Sequence, residues 1–287
     1  MTAMDSHTLA YLDRVFLESD DARPLRILAE YLEPLKRFKE QHIHDTVAFF
    51  GSARTQSHAE ANEALVRLRE EGRPADADFD SRLRQAEKAV EWSRYYEESR
   101  ALARMLTEWS KSLDMEHERF VVCSGGGPGI MEAANRGAFE AGGKSIGLNI
   151  RLPFEQGANR YITEGLGFEF HYFFMRKFWF AYLAKALVVF PGGFGTLDEM
   201  FELLTLVQTE KLDRRIQVIL YGSEYWDSVI KLDALEESGA ISAEDRTLIQ
   251  RADTPEHAMA LLTAHLTTHH LQPESPVTEP ALAKTRS

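Results

Sequence analysis

Two short runs constrain this chain more than anything else in it: Ser124-Gly125-Gly126-Gly127-Pro128-Gly129 and Pro191-Gly192-Gly193-Phe194-Gly195-Thr196. Each follows a stretch of strand formers, Arg119-Phe120-Val121-Val122-Cys123 and Ala186-Leu187-Val188-Val189-Phe190, and each leads into a segment of helical periodicity. Glycines let the main chain turn tightly and come close to a ligand. The helix beyond begins with N–H groups that no helical carbonyl satisfies, which favours an anion there. Further apolar runs at 46–50, 145–150 and 216–221 alternate with helical patterns over 130–141, 170–184 and 196–209. Short continuous apolar strands alternating with helices predict an α/β fold, a parallel sheet covered on both faces. Both glycine turns then lie at the carboxyl ends of strands, where such sheets bind ligands.

The remaining chain reads as helical additions to one α/β domain over 1–270. Residues 1–45 predict an extension of two short helices interrupted by Pro24 and Pro34. Residues 57–118, rich in Ala, Glu and Arg, predict an inserted helical pair parted by Gly72-Arg73-Pro74. The core spans 119–222, helices over 225–238, 243–251 and 255–269 make up the stretch 223–270, and 271–287 reads as a loose tail. With 33 Lys plus Arg against 45 Asp plus Glu, the net charge of −12 weighs against a nucleic-acid or anionic-lipid partner. A small phosphorylated ligand stays compatible, because main-chain N–H groups hold phosphate whatever the net charge. The single cysteine, Cys123, excludes an internal disulfide and a Cys-based zinc cluster. Phe168 to Phe190, the most apolar stretch, is broken by Arg176, Lys177 and Lys185, so no membrane span is expected. The first residues lack the basic start and apolar run of a secretion signal, and the expected location is cytoplasmic.

Neither glycine turn carries the dinucleotide fingerprint or a Walker lysine. The histidines at His42-x-His44 and His265 to His270 fall in helical or terminal segments without a carboxylate framework and read as solvated surface. No metal and no cofactor are expected. Glu199 admits two readings. Thr196-Leu197-Asp198-Glu199 matches a capping box, or the carboxylate stands beside a ligand held by the same turn. Arg176 lies among Phe173, Phe174, Met175, Phe178, Trp179, Phe180, Tyr182 and Leu183, so its helix should be buried and its charge paired. Glu199, a ligand phosphate, Glu164 or Glu169 are the candidate partners, and a side chain reaching to the edge is the alternative.

Together these residues resemble the LOG family, the cytokinin riboside 5′-monophosphate phosphoribohydrolases, some members of which are labelled lysine decarboxylase-like. The resemblance rests on P-G-G-x-G-T-x-x-E at Pro191, Gly192, Gly193, Gly195, Thr196 and Glu199, and on the pair Arg176-Lys177. Gly125 to Glu132 and Phe50-Gly51-Ser52-Ala53-Arg54 contribute as well, and the likeness covers about 46–56 and 119–222. Short plant-type members carry Met-His two residues before the Arg-Lys pair, where this chain has Phe173-Phe174-Met175, and the extension and insertion mark a longer type. The resemblance implies a modified Rossmann fold that hydrolyses the N-glycosidic bond of a nucleoside 5′-monophosphate, AMP or N6-modified AMP. It implies Arg176 and Glu199 as catalytic residues. Gly51, Ser52, Arg54, Gly126, Gly127, Lys177, Gly192, Gly193, Gly195 and Thr196 are the implied substrate contacts, and a homodimer or larger assembly the implied state. A non-hydrolytic nucleotide sensor or carrier is the competing reading. A literal lysine decarboxylase needs pyridoxal phosphate on a lysine, and nothing around Lys144, Lys177 or Lys185 reads as such a site.

Overall fold

The computed structural model describes residues 8–71, 78–152, 157–209, 211 and 216–271. The chain begins with α1 (Arg14–Glu18) and α2 (Arg23–Glu40), then β1 (Thr46–Phe50), α3 (His58–Glu70), α4 (Phe79–Ser112), β2 (Val121–Ser124) and α5 (Ile130–Glu140). It continues through β3 (Ser145–Ile150), β4 (Gly167–Phe170), α6 (Phe173–Leu183), β5 (Ala184–Val189), α7 (Phe194–Gln208) and β6 (Gln217–Tyr221). Last come α8 (Ser223–Val229), α9 (Leu232–Glu237), α10 (Ala243–Arg246), β7 (Ile249–Ala252) and α11 (Pro255–His270).

The seven strands form one sheet in the order β4-β3-β2-β1-β5-β6-β7, every neighbouring pair parallel. The chain therefore builds outward from β1 in one direction, returns, and builds outward from β5 in the other. The reversal between β1 and β5 opens a crevice at the carboxyl edge, where this class of sheet places ligands. The loops after β1, β2 and β5 all meet there. One face of the sheet buries Phe50, Leu148, Phe168, Phe170, Trp179, Leu187 and Trp226 under α2, α6, α7 and α8. The other buries Val47, Phe49, Leu102, Leu106, Phe120, Ile130, Val188 and Tyr221 under α4, α5 and α11. Strands covered on both faces explain the uninterrupted apolar runs of β1, β2, β5 and β6. No helix among the described residues is long and apolar enough to cross a membrane.

Four departures from the sequence expectation have physical causes. Pro34 lies inside a continuous α2 and does not end it. A proline there frees the carbonyl four residues earlier, and that carbonyl, Glu30 O, accepts a hydrogen bond of 2.9 Å from the Trp179 indole N–H. Strand β4 lies just ahead of the helix expected over 170–184, where no element is expected, and β7 takes the end of the helix expected over 243–251. Both are edge strands, and β4 alternates exposed Gly167 and Glu169 with buried Phe168 and Phe170, so neither shows the apolar run of a central strand. The helix expected over 225–238 is two, because Ile230 adopts extended backbone and turns its side chain into the core. Finally, His270 is buried, its carbonyl accepting from Arg119 at 2.8 Å, where a solvated side chain is expected. The link at 72–77 between α3 and α4, and the tail from 272 onward, lie outside the described residues.

Candidate active site

The site is assembled by the turn after β1. Ser52 N–H donates to Pro191 O at 3.0 Å, and Ser52 O accepts from Ile130 N–H at 3.1 Å. One residue thus joins the turn after β5 to the first peptide of α5. Gly51 packs directly on Ile130, where a Cβ would stand 2.8 Å from that side chain. Arg54 projects into solvent beside this junction, its own N–H donating to Ser52 Oγ at 3.1 Å.

The turn after β2 is buried except for Pro128. Gly126 N–H donates to Ser124 Oγ, whose hydroxyl donates to Asn135 Oδ1. Asn159 donates from its main-chain N–H to Gly126 O at 2.8 Å and from its amide to Gly126 O and Gly127 O at 3.0 and 3.1 Å. The Gly126 N–H and the carbonyls of Gly126 and Gly127 are thus spent on the protein. Arg176 lies directly against Gly125, since a Cβ there would come within 2.6 Å of a guanidinium nitrogen. Here glycine is required for a close approach, and what approaches is Arg176 together with the Met131 sulfur.

The turn after β5 is arranged differently. Helix α7 starts at Phe194, two residues before the expected Thr196, with Gly193 as N-cap and no side-chain cap. The capping box is therefore not formed, and Glu199 is released from that role. The first helical hydrogen bond runs from Leu197 N–H to Gly193 O, so the N–H groups of Phe194, Gly195 and Thr196 face out of the helix start. Gly193, Phe194 and Gly195 are exposed, and space is open in front of both glycines. Behind them the Tyr225 hydroxyl donates to Gly192 O at 2.7 Å, and Thr196 packs on Gly192.

Helix α6 brings Arg176 to the same edge. Its Nε donates to Leu148 O at 2.7 Å and its Nη1 to Glu199 Oε1 at 3.0 Å. Both side chains are nearly buried, at 11% and 12% exposure, which settles the choice of partner in favour of Glu199 over Glu164 and Glu169. Burial pushes the Glu199 carboxyl up to about 7, against the pull of the neighbouring guanidinium. Burial also draws Arg176 below its ordinary value, with Glu199 opposing, and a guanidinium stays charged all the same. Lys177 points elsewhere, forming ion pairs of 2.9 Å with Asp198 and 3.0 Å with Glu202 on the outer side of α6 and α7.

The structure thus brings Arg176, Glu199, Gly192, Gly193, Gly195 and Thr196 around one crevice. It gives Gly51, Ser52, Gly126 and Gly127 bracing positions in its walls and sets Lys177 outside. Asn159 and Tyr225, which brace the two glycine turns, carry no motif in the sequence; neither Asn nor Tyr at those positions differs in pattern from an ordinary loop or helix residue. Among the described residues no three His, Cys, Asp or Glu groups gather as a metal set.

Comparison with known proteins shows what this chain is similar to. The family described as "Possible lysine decarboxylase" matches residues 131–262, which include Arg176, Glu199 and the turn after β5. A probable cytokinin riboside 5′-monophosphate phosphoribohydrolase, LOGL3 of Oryza sativa subsp. japonica, is 26% identical over 154 residues, covering 52% of this chain and 70% of that protein. The Arabidopsis thaliana cytokinin riboside 5′-monophosphate phosphoribohydrolase LOG3 is 25% identical over 151 residues, covering 52% and 69%. Over about half of its length this chain is similar to LOG-family proteins. LOGL5 of the same rice is 28% identical over 158 residues, and the match covers 61% of its length. The likeness to these LOG proteins therefore accounts for about half of the present chain. Among solved structures, the structural-genomics target TM1055 aligns with 77% of this chain and 99% of its own at 20% identity and TM-score 0.45. A molybdenum cofactor carrier protein from Chlamydomonas reinhardtii aligns with 78% and 98% at 17% identity and TM-score 0.43.

Proposed function

We propose that this protein, like the LOG proteins it resembles, hydrolyses the N-glycosidic bond of a nucleoside 5′-monophosphate, AMP or N6-modified AMP, releasing the free base and ribose 5-phosphate. The observation that carries the reading is the placing of a buried carboxyl, Glu199, on the same helix whose exposed start at Phe194–Thr196 offers three outward N–H groups. Five residues of helix span about 7.5 Å, a reach suited to a phosphate at the helix start and its sugar beside the carboxylate.

The chemistry follows from that placing. As the base leaves, positive charge builds on the ribose, and an ionised carboxylate in a water-poor site stabilises it strongly. Arg176 holds Glu199 in position through Nη1 while Leu148 O fixes the other side of the guanidinium. Glu199 also orients the attacking water as that charge develops. Arg54, exposed at the crevice, and the N–H groups of Gly195 and Thr196 serve the phosphate; Ser52, Gly51, Gly126 and Gly127 keep the walls in register. Lys177, held by two carboxylates, contributes by fixing α6 to α7. The same two carboxylates disfavour a lysine-bound aldehyde cofactor there, and Lys144 belongs to the opposite edge of the sheet, bonded to Gln41 O and Glu118.

Base and ribose 5-phosphate assayed together over a panel of nucleoside monophosphates test the reading. Wild type releases adenine from AMP, and Glu199→Gln loses about a thousandfold in rate while AMP binding is kept. Saturable AMP binding with no product from wild type points instead to a non-hydrolytic sensor or carrier. The proposal extends to assembly. Phe173 and Phe174 on α6 and Phe194 and Phe201 on α7 are exposed, and a groove of about 420 Å³ lies along α7. Such a patch suits a second copy of the chain. Light scattering at micromolar concentration then gives at least twice the chain mass, and a monomer overturns this part.

A further inference from the structure

Three asparagines stand at the triple-glycine turn, and their amides are used very differently. Asn135 accepts from Ser124 and Asn159 and donates to Ile146 O. Asn159 spends its amide on Gly126 O, Gly127 O and Asn135. Asn149, near the end of β3, packs its amide on Gly126 so closely that a Cβ on that glycine would collide with it. Yet among the described residues that amide has no hydrogen-bond partner, and the side chain is only half-buried. A polar group that shapes a wall of the crevice and keeps both its donor and its acceptor unspent is fitted to a ligand.

Its place in the strand says which part of the ligand. Leu148 O, the carbonyl immediately before Asn149, receives Arg176 Nε, and the same guanidinium holds Glu199. The end of β3 is therefore one guanidinium width from the carboxyl. If Glu199 stands at the carbon that loses the base, the nearest polar substituent on the sugar is the neighbouring hydroxyl. An amide matches a hydroxyl, which both donates and accepts.

We propose that the Asn149 amide hydrogen-bonds the 2′-hydroxyl of the substrate ribose and makes the site selective for ribonucleotides over 2′-deoxyribonucleotides. The proposal rests on the phosphoribohydrolase reading above. A hydrogen bond to this hydroxyl strengthens as the sugar becomes cationic, so its loss lowers turnover as well as affinity.

The test compares kcat/KM for AMP and dAMP in wild type and Asn149→Ala. The substitution slows AMP at least about tenfold and leaves dAMP within about twofold. Equal slowing of both nucleotides, the signature of a merely bracing role for Gly126, overturns the proposal, as does no slowing of either. Asn149→Ser replaces the alanine variant if the latter does not fold, with the same criterion. If wild type releases base from neither nucleotide, the hydrolytic reading falls by itself. Calorimetric binding of AMP and dAMP then decides the Asn149 assignment. A preference for AMP that disappears in the variant supports it; equal affinities, or no binding, overturn it.

Discussion

The two glycine turns look alike in sequence and do opposite things. The one after β2 is buried, its carbonyls taken by Asn159, its helix start met by Ser52 O, its glycines pressed by Arg176 and Asn149. The one after β5 leaves Gly193 and Gly195 facing open space and three N–H groups pointing outward. Glycine serves in the first to admit protein atoms and in the second to admit ligand atoms. A strand–glycine–helix pattern thus announces a close approach without saying by what. The difference lies in what the neighbouring loops supply, here one serine carbonyl and one asparagine side chain.

The largest effect that sharpens this contrast is the pH dependence of the open side. Glu199 is pushed up to about 7 by burial. If the ionised form stabilises the cationic sugar, kcat/KM rises with pH about tenfold per unit below that value and levels above it. Glu199→Gln removes this acid limb along with most of the activity. Stability runs the other way. A raised carboxyl binds its proton more tightly in the folded state, so its stabilising contribution is complete below the usual carboxylate range and is lost as pH rises through about 7. Activity and thermal unfolding measured over pH 4–8 check both signs. An acid limb centred in the ordinary carboxylate range would mean that Glu199 acts as a solvated group.

A smaller effect separates the closed turn from the open one. Gly126 has φ +72° and Asn149 directly against it. Gly126→Ala pays for left-handed backbone and for displacing that amide, a loss of about 1–3 kcal/mol. Denaturant unfolding measures it. A change under about 0.5 kcal/mol would show that the closed turn is looser than its hydrogen bonds imply.

How much of this was legible in the sequence follows from the same contrast. The central strands, buried on both faces, announce themselves as apolar runs, and the motif around Gly192, Gly193 and Gly195 marks the crevice. The Arg176–Glu199 pair could be foreseen because a charge in an all-apolar helix demands a partner. What escaped depends on distant segments meeting. Ser52 O reaching Ile130, Trp179 repairing the gap left by Pro34, and Asn159 filling the closed turn are contacts between residues 33 to 149 apart in the chain. The start of α7 escaped for a local reason. A threonine followed by a glutamate three residues on fits a capping box, whereas the structure uses Gly193 as N-cap and leaves the threonine inside the first turn.

The smallest effect has the most telling sign. Gly195 is the second residue of α7, and a Cβ there meets nothing within 4 Å. In a helix, alanine is favoured over glycine by roughly 0.5–1 kcal/mol because the unfolded glycine has more freedom to lose. Gly195→Ala therefore raises the melting temperature by about 1–2 °C, the opposite of what Gly126→Ala does. The same methyl enters the space in front of the helix start, so affinity for AMP falls. A variant that is more stable and binds less well identifies Gly195 as a residue kept small for a ligand. If stability drops, the position is packed against protein and the two turns are alike after all; if AMP binds as before, the phosphate sits elsewhere.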